Sequence, residues 1–319
     1  MPARPSCSVT IGIIAPSCAA SQGPSSSNAS SIGIPARRNL SSQSYDLRDE
    51  TCEWFEIPDG HSEYHKDQYE PTDFVLHPRF LTGQEQDLIL DHSLTRLDKM
   101  ERPRARRRGG AHRVGATEPT REASRFRAEE EYSFEAGHFD QVISGYREMQ
   151  LGQFVSPSDT TPTHQSLASI LARLQALLPD APRPPLIHLL HLSSQGRIDP
   201  HVDNLEASGS TIVGLSLGST RVMRLGHQAA PIHTHLKVLL PPGSVYIQRD
   251  SVRYNLQHSI PIHDSFKNQP IIGAQRLSIM LRNRNNQSNR IQTDLSGCSV
   301  QRFEPVALDC TKNAVQNQH

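Results

Sequence analysis

Three residues in the second half of the chain are of the types that hold a metal ion. His201 and Asp203 lie two positions apart, so on an extended segment their side chains point to the same side. Two imidazoles and one carboxylate on one face of an octahedron leave three positions open, which suits a ferrous centre that activates oxygen. The chain has 16 histidines, and we select His258 as the third ligand because it lies in a strand-like piece, 254–260, shortly before a second motif.

That second motif is a pair of arginines, Arg276 and Arg282, in a segment where apolar and polar residues loosely alternate. Residues six apart on a strand share a face, with Cα atoms about 20 Å apart, a span that two guanidinium arms can narrow around a short dicarboxylate. Arginine suits this task because its fork pairs with both oxygens of a carboxylate and stays charged. The ordered set, H-x-D, a later His and then R-x5-R, is far more specific than any part of it.

The ordered set resembles the AlkB family of Fe(II)- and 2-oxoglutarate-dependent dioxygenases over about residues 70–285. In that family a second His follows H-x-D by roughly fifty residues, and R-x5-R comes after it; here His258 follows Asp203 by 55 positions. Shorter segments are similar to the family's mitochondrial branch: Gly145–Glu148, His201–Asn204, Val222–Leu225, Pro242–Ile247 and Arg253–Tyr254.

The resemblance implies a catalytic iron held by His201, Asp203 and His258, with O2 as co-substrate. It also implies a 2-oxoglutarate site formed by Arg276, Arg282 and Tyr246. The implied enzyme is a monomer of the mitochondrial matrix that hydroxylates a protein or another non-duplex substrate, with links to programmed necrosis and fatty-acid metabolism.

Two departures from the family's nucleic-acid-repairing members argue against duplex nucleic acid as a substrate. Those members carry Asn and Tyr some ten residues before the metal motif, where this chain has Leu190 and Leu192. They also have a lid with base-stacking aromatics, whereas residues 101–130 here contain no Trp or Tyr. A flipped base needs stacking partners. RNA demethylation of the AlkB type stays an alternative.

Two further alternatives follow from the same residues. A non-catalytic, metal-stabilised binding scaffold has no need of the paired arginines. A zinc hydrolase with the same three ligands leaves the arginines unexplained and lacks an evident general base.

The elements around these motifs predict a mixed but mainly β fold, a double-stranded β-helix (jelly roll) with supporting N-terminal helices. Helices are expected at about 84–99, after the capping box of Thr82 and Glu85, and at about 166–178. Short strands are expected at 186–192, 211–217, 221–225 and 277–281, with a hairpin formed by 236–240 and 244–248.

Composition divides the chain into segments. Residues 1–45 lack Asp and Glu and carry Arg and many Ser, which is typical of a mitochondrial transit peptide. We expect a linker at 46–72, the dioxygenase domain at 73–285 with a disordered Arg/Gly-rich insertion at 101–130, and a disordered tail at 286–319. The formal net charge of zero gives no argument for nucleic acid or membrane surfaces, and no apolar run approaches a membrane span.

Overall fold

The computed structural model describes residues 43–100, 125–156, 158–179, 184–205 and 208–283. Four helices are present in this part of the chain: α1 (His61–His65), α2 (Gly83–Met100), α3 (Pro162–Gln175) and α4 (Asp250–Asn255). The strands are β1 (Tyr45–Asp46), β2 (Phe55–Glu56), β3 (Phe74–His77), β4 (Ile143–Leu151), β5 (Leu186–His201), β6 (Thr211–Gly218), β7 (Arg221–Gly226), β8 (Leu236–Leu240), β9 (Ser244–Arg249), β10 (Gln257–Ile260), β11 (His263–Phe266), β12 (Gln269–Ile272) and β13 (Arg276–Arg282).

Eleven strands form one curled antiparallel sheet in the order β1-β3-β9-β6-β13-β5-β10-β7-β8-β2, with β4 pairing to β5. The 16-residue strand β5 joins the two halves of the sheet. Its first half pairs with β13, and its end pairs with β10, where His201 lies opposite His258. The sheet thereby wraps around an interior, which confirms the predicted jelly-roll fold with helices packed outside it.

The outer face of the sheet is covered by α2 and α3. Thr82 and Glu85 begin α2 with the expected capping box, in which each backbone N–H donates to the other residue's side chain (2.9 and 3.3 Å). On β13, every second residue faces these helices, and the residues between them face the interior. The buried residues of the outer layer include Ile89, Leu94, Leu167, Leu174, Leu277, Ile279 and Leu281.

The predicted hairpin of 236–240 and 244–248 is wrong. Strand β8 pairs with β7 and β2, whereas β9 pairs with β6 and β3. The two strands also bury their side chains differently: Val238 packs in the interior of the barrel, while Val245 packs under the helices. Pro241–Gly243 therefore connects one half of the sheet to the other. If β8 and β9 paired with each other, the apolar side chains of one of these strands would not reach the core in which they pack.

Residues 46–72 belong to the folded body rather than to a linker. Leu47, Cys52 and Phe55 are 4%, 4% and 1% exposed and pack in the interior cluster. The sequence did not indicate this because the strands involved are only two residues long, which is too short for a period to be recognised.

The other predicted segments meet the structure to different degrees. The first helix matches its expected range within a residue at each end. The second begins earlier than expected, at Pro162, because Thr161 caps it. The expected insertion lies outside the described residues up to position 124, and its last residues are folded, with Phe126 9% exposed. The targeting-like segment up to 42 and the tail from 284 also lie outside them. Among the helices that the structure describes, none is long and apolar enough to cross a membrane.

Candidate active site

The fold brings His201, Asp203 and His258 together at one end of the barrel interior. His201 ends β5, Asp203 follows it in the next loop, and His258 lies on the neighbouring strand β10. One ligand atom from each residue lies within 4.8 Å of the other two. The Nε2 atom of His201 is 3.4 Å from Oδ1 of Asp203, and the two imidazole rings have centroids 4.2 Å apart.

A divalent cation bound to these residues would replace a proton on His201, because burial acts to lower the pKa of this ring but the neighbouring Asp203 raises it overall. The backbone carbonyl of Asp199 lies 3.0 Å from Nδ1 of His201, so that nitrogen donates to it and Nε2 keeps its lone pair for a metal. Burial lowers the pKa of His258 to about 3, which keeps this ring neutral. Burial acts to raise the pKa of Asp203, but its neighbours His201, His258 and Arg282 hold it well below its usual value.

One atom of this group has no partner within the protein. Oδ2 of Asp203 is buried and accepts no hydrogen bond from the residues that the structure describes. A buried carboxylate oxygen without a donor is costly, and a bound cation would remove that cost. Two neutral imidazoles and one carboxylate therefore fit Fe(II), with three positions left for other ligands.

A cavity of about 520 Å³ begins at this group of residues. Its floor is made by three adjacent strands, β13, β5 and β4, whose alternate side chains point inward. The floor residues are Arg276, Ser278, Met280 and Arg282 from β13, Leu186, His188 and Leu190 from β5, and Glu148 and Gln150 from β4.

Arg276 is 1% exposed, and among the described residues its side chain has one hydrogen-bond partner, Oγ of Ser216, to which its Nε donates at 3.0 Å. No carboxylate among the described residues forms an ion pair with it, and burial lowers its pKa. An arginine nevertheless stays charged in a protein. The cavity therefore contains a buried cation for which the described residues provide no anion.

Arg282 and Tyr246 also line the cavity. Arg282 lies towards the metal-ligand end, where its charge helps to lower the pKa of Asp203; its Nε is buried and has no partner among the described residues. Tyr246 lies near Arg276, and burial raises its pKa to about 12, so its hydroxyl stays protonated. Gly214 lies opposite Tyr246 on β6, and a Cβ there would collide with the phenol ring.

The structure thus places all six predicted site residues around one cavity, and it adds others that sequence reasoning missed. Ser216, His188 and Glu148 hold or flank the arginines, but serine, histidine and glutamate on separate strands carry no recognisable spacing. Phe139 stands at the mouth of the cavity and is 90% exposed. Leu190 lines the floor and Leu192 packs in the interior cluster, so the two positions that are polar in repair enzymes are apolar here.

Comparisons with known proteins agree with this geometry. The profile of the 2OG-Fe(II) oxygenase superfamily matches residues 73–282. The chain is 38% identical over 153 residues to the alpha-ketoglutarate-dependent dioxygenase alkB homolog 7, mitochondrial, of Bos taurus, covering 47% of this chain and 65% of that protein, just under two thirds of its length. It is 33% identical over 212 residues to the Mus musculus protein of the same name, covering 65% of this chain and 77% of that protein.

A solved structure described as that of OsALKBH1 aligns with 68% of this chain and 99% of its own, at 18% identity and a TM-score of 0.39. The chain belongs to the 2OG-Fe(II) oxygenase superfamily, as a 2-oxoglutarate-dependent dioxygenase of the alkB homolog 7 type that uses Fe(II), 2-oxoglutarate and O2.

Proposed function

We propose that this protein is a mitochondrial dioxygenase that hydroxylates a protein or another non-duplex substrate, with His201, Asp203 and His258 as its iron ligands. The observation that carries the proposal is the shared cavity: three potential ligand atoms within 4.8 Å of one another at one end, and the buried Arg276 farther in. When bound, iron and 2-oxoglutarate supply the oxidation, in which one atom of O2 enters a substrate C–H bond and 2-oxoglutarate leaves as succinate and CO2.

The two arginines divide the recognition of 2-oxoglutarate between them. Arg276, beside Tyr246 and away from the metal ligands, is placed to pair with the far carboxylate. Arg282, whose charge acts on Asp203, is placed near the keto-acid end. The protonated hydroxyl of Tyr246 can donate to the same ligand. Since the surroundings are buried, each of these interactions is stronger than it would be in water.

The paired arginines also argue against a non-catalytic scaffold and against a zinc hydrolase. Arg276 and Arg282 lie at the cavity with too few acceptors from the described residues, and neither alternative gives a specific reason for such a pair of arginines there.

The catalytic proposal is tested with iron and 2-oxoglutarate added to the metal-free protein without oxygen. A visible charge-transfer band is expected, and then release of succinate once oxygen is admitted. The variants His201→Ala and Asp203→Ala should lose both signals. Unchanged 2-oxoglutarate-dependent succinate release in the double variant would refute the ligand assignment.

Leu190 on the cavity floor supports a substrate other than a damaged duplex base, because an apolar side chain offers no hydrogen bond to a base edge. The substrate itself is found by mass spectrometry of mitochondrial extract incubated with enzyme, with and without 2-oxoglutarate. A protein carrying a new +16 Da modification only in the complete reaction supports the proposal, whereas modification confined to nucleic acid contradicts it.

RNA demethylation is the second candidate, and Phe139 is the observation that favours it. An aromatic ring that is 90% exposed at a cavity mouth could stack on an unpaired base. Two carboxylates, Asp140 and Glu148, also line this cavity, which opposes phosphate binding. Incubation with a methylated single-stranded oligoribonucleotide separates the candidates. Only a demethylase would lower the mass of the oligoribonucleotide by replacing the methyl group with hydrogen.

Mitochondrial localisation is proposed on two grounds: the acid-free composition of residues 1–45 and the mitochondrial relatives. Fusing residues 1–45 to a fluorescent reporter tests it. Matrix fluorescence is expected, and diffuse cytosolic fluorescence would contradict the targeting role. The links to programmed necrosis and fatty-acid metabolism stay predictions from the resemblance.

A further inference from the structure

A row of hydrogen-bonding side chains crosses the cavity floor from Arg282 towards the surface. Nη2 of Arg282 on β13 lies 3.3 Å from Nδ1 of His188 on β5, and Nε2 of His188 lies 2.8 Å from Oε2 of Glu148 on β4. At the outer end, His138 lies 3.6 Å from the other oxygen of Glu148. Because the three strands are neighbours, the row runs across them rather than along any one of them.

The chemistry of the groups fixes the direction of each bond. A guanidinium only donates, so Nδ1 of His188 accepts from Arg282. The ring proton of a neutral imidazole then lies on Nε2, from which it is donated to Glu148. The carboxylate of Glu148 stays ionised, because its hydrogen bond with His188 helps to lower its pKa. His188 is 6% exposed, so water does not compete freely for either nitrogen.

Arg282 has little else to hold its orientation. Within the part of the chain that the structure describes, its other side-chain hydrogen bond is with Oγ of Ser208, at 3.4 Å, and its buried Nε has no partner. Among the described residues no carboxylate forms an ion pair with it. An arginine side chain has about 2 kcal/mol of rotamer entropy to lose when it is fixed, so a buried neighbour that holds its fork in advance makes ligand binding more favourable.

We propose that His188, held in one tautomer by Glu148, is a positioning residue that aims the guanidinium of Arg282 at 2-oxoglutarate. The inference rests on the proposed function, in that 2-oxoglutarate is the anion concerned. It predicts that substitutions in this row weaken binding of 2-oxoglutarate while binding of the metal alone is unchanged.

The test is calorimetric titration of 2-oxoglutarate into Mn(II)-loaded protein, which measures binding without turnover. His188→Leu should raise the Kd about tenfold, the effect of losing one hydrogen bond to a charged group. His188→Gln should restore most of the affinity, because its amide can accept from Arg282 and donate to Glu148. Glu148→Leu, which leaves the tautomer of His188 free, should raise the Kd about threefold, a smaller loss within the same range.

His92→Leu is the matched control, because His92 on α2 is also a histidine with a hydrogen-bond partner, the carbonyl of Phe154 at 3.2 Å, but it lies outside the cavity. Its Kd for 2-oxoglutarate should equal that of the wild type. The affinity for Mn(II) and the thermal midpoint are measured for every variant.

An unchanged Kd in His188→Leu overturns the inference. So does a Gln variant as weak as the Leu variant with reduced Mn(II) affinity in both, since that pattern indicates a merely structural role. If His188→Leu does not fold, Glu148→Leu and His188→Gln decide the matter by the same criteria. If the wild type binds Mn(II) but not 2-oxoglutarate, the proposed function itself fails and the inference fails with it.

Discussion

Arg221 and Arg276 are both 1% exposed, and they are satisfied in very different ways. The terminal nitrogens of Arg221 donate to five backbone carbonyls, those of Gly196, Ser193, Pro261, Ile262 and Ala274, at 2.8–3.3 Å. Among the described residues, the side chain of Arg276 donates to one partner, the hydroxyl of Ser216. Arg221 therefore ties several segments of the scaffold together, while Arg276 faces a cavity with donors to spare.

The difference indicates how to tell a structural buried charge from a binding one. Burial costs both side chains their hydration, so each needs acceptors. Where the chain itself supplies the acceptors, the group stabilises the fold. Where the chain supplies too few acceptors and the buried group faces a cavity, a bound ligand can supply the remaining acceptors. Two histidines also differ in their surroundings: His258 lies beside a carboxylate at a cavity, whereas His65 stacks on His61 and bonds through Nδ1 to the backbone carbonyl of His61.

The sharpest way to break the comparison is to remove the charge of Arg276. Arg276→Met should lower the affinity for 2-oxoglutarate by a factor of about 10² to 10⁴, because a buried ion pair loses one partner, at about 3–5 kcal/mol. The free energy of unfolding of the ligand-free protein should change little, since only one hydrogen bond is lost. Calorimetry measures the affinity, and urea unfolding measures the stability of the same sample. A large loss of stability without a loss of affinity would show that Arg276, like Arg221, is a structural residue.

The converse substitution tests the structural arginine. Arg221→Met should lower the free energy of unfolding by about 3 kcal/mol, because buried carbonyls lose their donors. In the fraction that still folds, the Kd for 2-oxoglutarate should stay within about twofold of the wild type, since Arg221 donates to backbone and not to the cavity. Urea unfolding followed by circular dichroism provides the measurement. A large change in Kd at unchanged stability would contradict the assignment.

The sequence singled out residues that the structure brings to one cavity, but it did not predict how the strands pair, and the reason is physical. A metal site needs particular side chains at particular spacings, so His201, Asp203, Arg276 and Arg282 stand out in the printed sequence. Strand pairing depends instead on which core each apolar side chain reaches. Val238 and Val245 look equivalent in the sequence, yet they pack on opposite sides of the sheet, which is why the hairpin was predicted wrongly.

Cross-strand polar contacts were equally hidden. The row from Arg282 through His188 to Glu148 joins residues 40 and 94 positions apart, and no local pattern marks such a pair. The five carbonyls around Arg221 are backbone atoms, which the sequence does not distinguish at all. The predicted ligand and 2-oxoglutarate roles stay predictions until the variants above are measured.

The contrast between the histidines can be sharpened by pH. Burial lowers the pKa of His65 to about 4 from an ordinary 6.5, so the unfolded chain takes up this proton first as the pH falls. The free energy of unfolding should therefore be fully retained above about pH 6.5 and decline towards pH 4, by about 2 kcal/mol after allowance for solvent screening. His65→Gln should reduce that slope.

Urea midpoints between pH 7 and 4, with and without Mn(II), check this prediction. Some slope should remain in the variant, because burial also lowers the pKa values of His61 and His235. Mn(II) should not alter the contribution of His65 to the pH dependence, since His65 is not one of the three proposed metal ligands. Identical pH dependence in the wild type and the variant would contradict the prediction. It would show that His65 is protonated or hydrated in the folded protein as well as in the unfolded chain.

The smallest expected effect concerns a polar pair that is neither buried nor beside the cavity. Thr82 and Glu85 exchange hydrogen bonds at the exposed start of α2. Thr82→Ala should lower the free energy of unfolding by about 1 kcal/mol, the usual cost of losing a helix N-cap, and leave 2-oxoglutarate binding unchanged. Thr82→Ser, which keeps the hydroxyl, is the matched control. If Thr82→Ala lowered the free energy of unfolding as much as Arg221→Met does, burial would not explain why Arg221 is costly to remove. The same loss of stability would then occur at a site that water already reaches.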